Sequence, residues 1–303
     1  MSGSSYHVPV LLKEAVDGLR IKPEGTYVDC TLGGGGHARE ILSHLNDQGR
    51  LIAFDQDADA AAQAPEDPRV VFIPHNFRHL KRFLRLHQID RVDGVLADLG
   101  VSSHQFDEAG RGFSTRFDAE MDMRMDRRQD KTAHTVLSTY TEQQLHKMFE
   151  RYGEVTNAKT LARTIVAVRA NQSLRTIDNF KQALQSVVKG NPNRYFAQVF
   201  QALRIEVNDE LGALQDLLLQ LPDVLKPGGR VAIITFHSLE DRMVKNFFKK
   251  GSFEEEALHP FEQKTITPPF NVITKKPVVP SQEELRNNPR SRSAKLRIAE
   301  RMD

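Results

Sequence analysis

The stretch Cys30-Thr31-Leu32-Gly33-Gly34-Gly35-Gly36-His37 decides how this chain folds. It follows a short apolar run, residues 27–30 (Tyr-Val-Asp-Cys), and it opens a helical pattern. Glycines let the backbone turn sharply and approach a ligand where a Cβ would collide. The helix behind them offers unpaired N–H groups to a negative or polar group. The spacing Gly33-x-Gly35-x-x-Ala38 fits the loose dinucleotide fingerprint. A glycine cluster can also be a plain turn, but a strand before it and a helix after it favour a nucleotide-type site.

Outward from that loop, residues 51–54, 70–73 and 92–97 read as strands, and the pieces between them read as helices. The alternation predicts right-handed βαβ units and a parallel sheet. Asp55 ends the second strand, 22 residues beyond Gly33. A carboxylate there accepts the hydroxyls of an adenosine ribose, although a solvated acid in Asp55-Gln56-Asp57 is the plainer alternative. Asp98 ends the fourth strand, where carboxyl ends line the ligand crevice; its plainer role is an Asx turn. Beyond it, residues 131–206 lose the strand signal. Ile177, Phe180, Leu184, Val187 and Val188 share one helical face, ended by Gly190 and Pro192. Phe196, Val199, Phe200, Leu203 and Val207 make a second stripe.

The strand signal returns late. A helix marked by Leu211, Leu214, Leu217, Leu218 and Leu221 closes at Lys226-Pro227-Gly228-Gly229, and a strand follows over residues 230–236. Residues 296–299 give a last strand, and 268–292 read as surface loops with room for one short strand. The economical architecture is one α/β domain interrupted by a helical insertion after its fourth strand. His237, just past the strand 230–236, reads two ways. It can orient or deprotonate a substrate, or Ser238 with Glu240 or Asp241 can simply start a helix there.

Composition bounds the rest. The chain has 303 residues, 39% hydrophobic, with one cysteine and a formal net charge of +2 from 42 basic and 40 acidic side chains. That length supports a core without staples, and one cysteine builds neither a disulfide framework nor a cysteine-rich zinc site. No apolar stretch is long enough to span a bilayer, and residues 1–6 lack a signal-peptide pattern, so a reducing cytoplasmic setting is expected. No Gly-Lys-Ser/Thr is present for a phosphate-loop NTPase, and no Ser-His-Asp arrangement or metal-ligand pairing of histidines is legible. Cys30 precedes the glycine loop and reads as buried and structural. It is badly placed for the cysteine attack that carbon-5 methylation of pyrimidines needs.

The net charge hides an uneven distribution. Residues 155–204 carry Lys159, Arg163, Arg169, Arg175, Lys181, Lys189, Arg194 and Arg204 against Asp178 alone, a net of +7. Residues 275–303 add eight bases against four acids. The expectation is an acidic catalytic body carrying a basic, RNA-facing insertion. The glycine loop and Asp55 suit either NAD or S-adenosylmethionine. Lys226-Pro227-Gly228-Gly229 before a strand, and an insertion able to recognise a bulky substrate, tilt towards the latter. An oxidoreductase and a non-catalytic RNA-binding scaffold stay open on the residues alone.

Motifs in order along the chain resemble the bacterial 16S rRNA (cytosine-N4)-methyltransferase family. They are His7-Val8-Pro9-Val10-Leu11-Leu12, the loop 33–37, residues 98–103 with Gln105, Arg111-Gly112-Phe113-Ser114, Met121-Asp122-Met123-Arg124-Met125, residues 200–205, 236–242 and 296–301. The resemblance implies a class I (Rossmann-like) S-adenosylmethionine-dependent methyltransferase fold with an inserted α-helical domain. The expected division is 1–112 and 209–303 for the methyltransferase domain, with 113–208 for substrate recognition. It implies cofactor contacts at Gly35, Gly36, His37, Asp55, Phe77, Asp98 and Gln105, with Phe77 placed to stack on adenine. The implied substrate is the cytidine at position 1402 of 16S rRNA in the small (30S) ribosomal subunit, and the implied catalytic residues are Asp98 and His237.

Family members can form homodimers, though no stripe in this sequence marks an interface. Asp98 is expected to hydrogen-bond the cytosine amine with His237 assisting, and Phe113 or Phe117 to stack on the base. Three positions depart from the family pattern: Ala38 for a Ser or Thr, His104 for a proline, and Asp118-Ala119-Glu120-Met121 for Asp-Gly-Pro-Leu.

Overall fold

A computed structural model describes residues 9–253 and 268–303; His7 and Val8 of the first motif lie outside them. The chain divides into two compact units, one built from residues 1–100 with 212–303 and the other from 101–211.

The first unit is an α/β sandwich around one seven-stranded sheet. Its strands are β1 (Thr26–Asp29), β2 (Arg50–Phe54), β3 (Val70–Ile73), β4 (Val92–Asp98), β5 (Leu225–Thr235), β6 (Phe270–Val272) and β7 (Lys295–Arg301). The order is β3-β2-β1-β4-β5-β7-β6. The first five strands are mutually parallel, and β7 runs antiparallel to both neighbours. This is the Rossmann-like methyltransferase sheet expected, with its order reversing at β1/β4, where such sheets bind ligands outside the strand ends. Both faces are covered, so the inner parts of β1 to β5 are continuous apolar runs rather than alternating with polar residues. Val28, Ile52, Phe54, Val95 and Ile233 point to one face, packed by helices Leu80–Leu86, Glu210–Val224 and Ser238–Lys250. Tyr27, Leu51, Ala53, Leu96 and Ile234 point to the other, under helices Leu12–Leu19 and Gly36–Ser43.

Lys226-Pro227-Gly228-Gly229 proves to be an excursion within β5. The ladder to β4 breaks between Val92↔Leu225 and Gly94↔Arg230. Asp93, opposite the excursion, accepts from Lys226 Nζ at 2.7 Å and from the Thr26 amide at 3.0 Å. The region 268–292 holds β6 as expected. It also holds a helix, Gln282–Asn287, capped by Ser281, that the Pro- and Asn-rich composition concealed.

The second unit is helical. Helices Ala133–Thr139, Glu142–Gly153, Ala158–Val168, Ile177–Ala183 and Pro192–Asn208 enclose Leu145, Phe149, Leu161, Ile165, Phe180, Val199 and Leu203. The helix at Ile177 stops earlier than its stripe suggested, and Pro192 opens the next helix at its first turn, a position where its missing N–H costs nothing. No helix among the described residues is long and apolar enough to cross a membrane.

Candidate active site

Because β1, β2 and β4 are parallel neighbours, their carboxyl ends bring Asp29, Asp55 and Asp98 to one edge of the sheet. The glycine loop is stitched across that edge. Cys30 N–H donates to the Leu96 carbonyl (2.8 Å) and Leu32 N–H to the Phe54 carbonyl (2.9 Å). Gly35 has φ +74°, and a Cβ there would lie 2.7 Å from the Gln63 carbonyl oxygen. A Cβ on Gly36 would collide with the Pro9 ring at 2.0 Å. The loop therefore needs glycine at both positions, and it delivers the start of helix Gly36–Ser43 to the crevice.

The acids there differ in exposure: Asp29 is fully buried, whereas Asp55 and Asp98 are half-buried. Asp55 is engaged on both oxygens, with Oδ2 accepting from Gly33 N–H (2.8 Å) and Oδ1 from Asp57 N–H (2.9 Å). The Gln56 backbone adds a third hydrogen bond to this carboxylate. Burial pushes its pKa up to about 6 against those backbone donors. Asp29 is fully buried; Oδ1 accepts from Thr31 N–H (3.0 Å), while Oδ2 has no hydrogen-bond partner among the described residues. Burial pushes this acid up to about 7, with Asp55 adding to the rise. The Asp98 amide donates to Thr31 Oγ1 at 2.7 Å, and its Oδ1 is likewise buried and unpartnered. Burial first, then the charges of Asp29, Glu240 and Glu284, raises the Asp98 carboxyl well above the usual range.

His37 completes the group. Its Nε2 lies 3.2 Å from the Val10 carbonyl, which can only accept, so Nε2 carries the proton and Nδ1 is bare. Nδ1 stands 3.8 Å from Asp98 Oδ2. Burial lowers the ring pKa to about 4, so at neutral pH Nδ1 is a bare acceptor turned towards the Asp98 carboxyl. Orphaned oxygens on Asp29 and Asp98 beside a bare imidazole nitrogen make an electron-rich recess that suits a cation or a multiple donor. The ammonium of S-adenosylmethionine's methionine portion has that chemistry, and the residues present fit it.

The other expected site residues fall as follows. Phe77 begins a 3-10 turn after β3 and is half-buried; neighbouring Asn76 caps that turn and donates to Gln56 Oε1 (2.8 Å), tying the ends of β2 and β3 together. Gln105 lies in the helical unit, where its Oε1 accepts from Ser102 N–H (3.0 Å) in an intact capping box, despite His104 in that turn. His237 is itself the N-cap of helix Ser238–Lys250: its Nδ1 accepts from Glu240 N–H (3.4 Å), while Glu240 Oε2 accepts from Phe236 N–H (2.8 Å). Its Nε2, 3.2 Å from Glu240 Oε1, does not meet hydrogen-bond geometry. Phe113 is packed in the helical core, whereas Phe117 is 45% exposed. Cys30 is buried, and burial raises its thiol well above its ordinary pKa, which fits a structural role. Asp29 and Thr31 were missed, although an acid inside a strand covered on both faces is itself a signal.

In the helical unit the departing segment at Asp118 is firmly placed. Ala119 carbonyl accepts from Ile177 N–H (2.9 Å), and Arg175 pairs with Glu120 (2.8 Å). Three of the eight bases counted in 155–204 are engaged internally. Besides Arg175, Arg169 donates to the Leu137 and Tyr140 carbonyls, and Arg204 pairs with Glu210. Lys159, Arg163, Lys189 and Arg194 are exposed and make no ion pair among the described residues. Residues 101–211 carry 16 bases against 14 acids, which is the whole chain's +2. The contrast between an acidic body and a basic insertion is therefore not present; the uneven charge lies within the helical unit.

Relatives share the chain end to end. "Ribosomal RNA small subunit methyltransferase H" of Cytophaga hutchinsonii is 54% identical over 98% of this chain and 99% of its own. The proteins of that name from Flavobacterium johnsoniae and Bacteroides fragilis are 53% and 52% identical, each over 98% of both chains. Among solved structures, an rRNA methylase from Streptococcus thermophilus matches 98% of this chain and 99% of its own at 11% identity and a TM-score of 0.42, too distant to add to the argument. With the family's sequence profile matching residues 4–302, the chain belongs to the MraW methylase family.

Proposed function

We infer that this protein transfers a methyl group from S-adenosylmethionine to the exocyclic N4 amine of a cytidine in 16S rRNA, acting in the cytoplasm on the small ribosomal subunit. The observation that carries the reading is the half-identical, full-length likeness to enzymes named as small-subunit rRNA methyltransferases. S-adenosylmethionine supplies an electrophilic methyl on a sulfonium. The chain's residues do the rest. Asp29, Asp98 and the bare Nδ1 of His37 hold the cofactor's cationic end, and Asp55 takes ribose hydroxyls. Half-buried Phe77 offers a ring face for adenine.

Cytosine N4 is a weak nucleophile because its lone pair is delocalised into the ring. The site must fix it in line with the methyl and accept an amino proton as the new bond forms. Asp98 is the acceptor: a carboxyl held up by burial returns to its charged, proton-accepting form once a cation lies against it. His237 assists from the N-cap of helix Ser238–Lys250, just past β5, with the Glu240 amide donating to its ring. Of the two rings expected to stack on the base, Phe117 is exposed and Phe113 is buried.

The test is transfer of labelled methyl onto assembled small subunits and onto naked rRNA, with the product nucleoside identified by mass spectrometry. Asp98→Ala should remove transfer by 100-fold or more, on the order of losing a positioned proton acceptor, while circular dichroism stays native. Unchanged turnover in that variant, or label on carbon 5, refutes the assignment. Calorimetry with NAD beside S-adenosylmethionine separates the oxidoreductase alternative.

A further inference from the structure

The carboxyl edge of the sheet has a basic margin that the cofactor residues leave unexplained. β7 is antiparallel to β5, so Lys295 stands beside Thr235, and the segment leading into β7 returns to the crevice edge. That segment is rigid. Around its 3-10 turn Pro289–Ser293 every third residue faces inward, so Asn288, Ser291 and Ala294 are buried. Ser291 donates both its N–H (3.0 Å) and its hydroxyl (2.7 Å) to the Asn288 carbonyl. The preceding helix Gln282–Asn287 is pinned by Glu284, whose Oε1 accepts from Leu11 N–H (2.8 Å), next to the Val10 carbonyl that holds His37. Helix Ser238–Lys250 begins at the same edge, where Asp241 accepts from Arg297 (2.6 Å) and Lys295 (3.4 Å).

The acids around this edge are engaged: Asp241 with β7, Glu284 with the Leu11 amide, Glu240 with the cap at His237. Arg242, Arg286 and Arg292 are not. All three are exposed and make no hydrogen bond or ion pair among the described residues; Glu283 is the one exposed acid beside them in sequence. A guanidinium is a planar fork matched to phosphate oxygens. Three such forks on a fixed backbone beside a crevice suit a polyanionic strand, which phosphate contacts position without reading its sequence.

We propose that Arg242, Arg286 and Arg292 form a phosphate-binding margin that grips the RNA backbone next to the target base. This rests on the rRNA methyltransferase reading above. The margin sits on the catalytic unit itself, so it is separate from the exposed bases of the helical unit.

The experiment compares the full-length protein with the triple variant Arg242→Gln/Arg286→Gln/Arg292→Gln. A control carries the same charge change at the opposite, amino-terminal edge of the strands, Arg50→Gln/Arg85→Gln/Arg91→Gln. The margin variant should raise KM for small subunits about ten-fold and leave kcat unchanged. It should lower the slope of log KM against log salt by about 2, roughly 0.7 for each lost contact to a single strand. The control should stay within about two-fold of the parent KM. Unchanged KM and salt slope overturn the proposal, as does an equal rise in the control, which would mean diffuse attraction. A shifted S-adenosylmethionine affinity in the margin variant also overturns it. Parent protein that fails to methylate small subunits overturns the functional reading instead. Gel shifts on naked rRNA then read the margin alone, with weaker binding by the variant supporting it and equal binding overturning it.

Discussion

Asp29→Asn separates the two consequences of a buried acid. Asp29 is 0% exposed, one oxygen is unpartnered, and burial pushes its pKa from 3.8 up to about 7. In the unfolded chain the carboxyl ionises near 3.8; in the fold it keeps its proton until about 7. Between those values the native state binds more protons than the unfolded state, so stability falls as pH rises. The loss is roughly 1.4 kcal/mol per pH unit over three units, about 4 kcal/mol in all, and it is constant above pH 7. Asparagine has no charge to desolvate and nearly the same shape. Its amide lacks an acceptor, which costs roughly 1–3 kcal/mol at every pH.

The variant's stability relative to the parent should therefore climb with pH from about 4 to 7 and then level off. Urea unfolding at pH 4.5, 6 and 7.5, without cofactor, measures it. S-adenosylmethionine affinity should fall in the same variant at neutral pH, since the cation loses a carboxylate. A stability difference that does not change with pH would refute the assignment of Asp29 as a desolvated acid, whatever happens to binding.

Three further outcomes follow from the same geometry. Asp29 and Asp55 are raised to about 7 and 6, and a cation lowers both, so S-adenosylmethionine binding should release protons and weaken as pH falls below 7. Calorimetry at pH 6.5 in two buffers of different ionisation enthalpy detects this, and identical heats would exclude it. His37 is lowered from 6.5 to about 4, so stability is full above 6.5 and should decline by about 3 kcal/mol as pH falls to 4. His37→Gln should flatten that acid limb in denaturant titrations. Asn208 donates to the Met123 carbonyl (2.8 Å) and accepts from Met125 N–H (2.7 Å), so Asn208→Ala strands two buried backbone groups. A loss of about 2–4 kcal/mol is expected in urea unfolding, and a neutral variant would show that the Met123–Met125 loop is held otherwise.

The sheet was legible because its strands are buried on both faces and so appear as unbroken apolar runs. The bounds predicted for the first four strands lie within a residue of those observed. The glycine loop was legible for a different reason: positive φ and close approach leave only glycine at Gly35. What the sequence concealed was pairing. Arg169, Arg175 and Arg204 count as charge in a linear tally, yet each is engaged by a carbonyl or carboxylate distant along the chain or a turn away. His237 read evenly as base or helix start. The structure makes His237 rather than Ser238 the cap, with Glu240 closing the box. Asp29 was overlooked because its register within the apolar run 27–30 is visible only once strands on both sides are in place. The two compact units divide after Gly100 and after Leu211, where no composition change marks a boundary.

The splice of the helical unit between β4 and β5 also sets an order of events. Val95 pairs with Val231 across the whole insertion, and β5 in turn needs β7, the last strand of the chain. Contacts within the helical unit are local by comparison, and loop-closure entropy delays pairings between distant segments. A ribosome making this protein releases β1 to β4 first, then a contiguous helical unit able to condense by itself. Only the final residues complete the sheet. The sheet is therefore completed late, and a chain cut short before Lys295 would carry the glycine loop and all three crevice acids without the strand that completes their sheet.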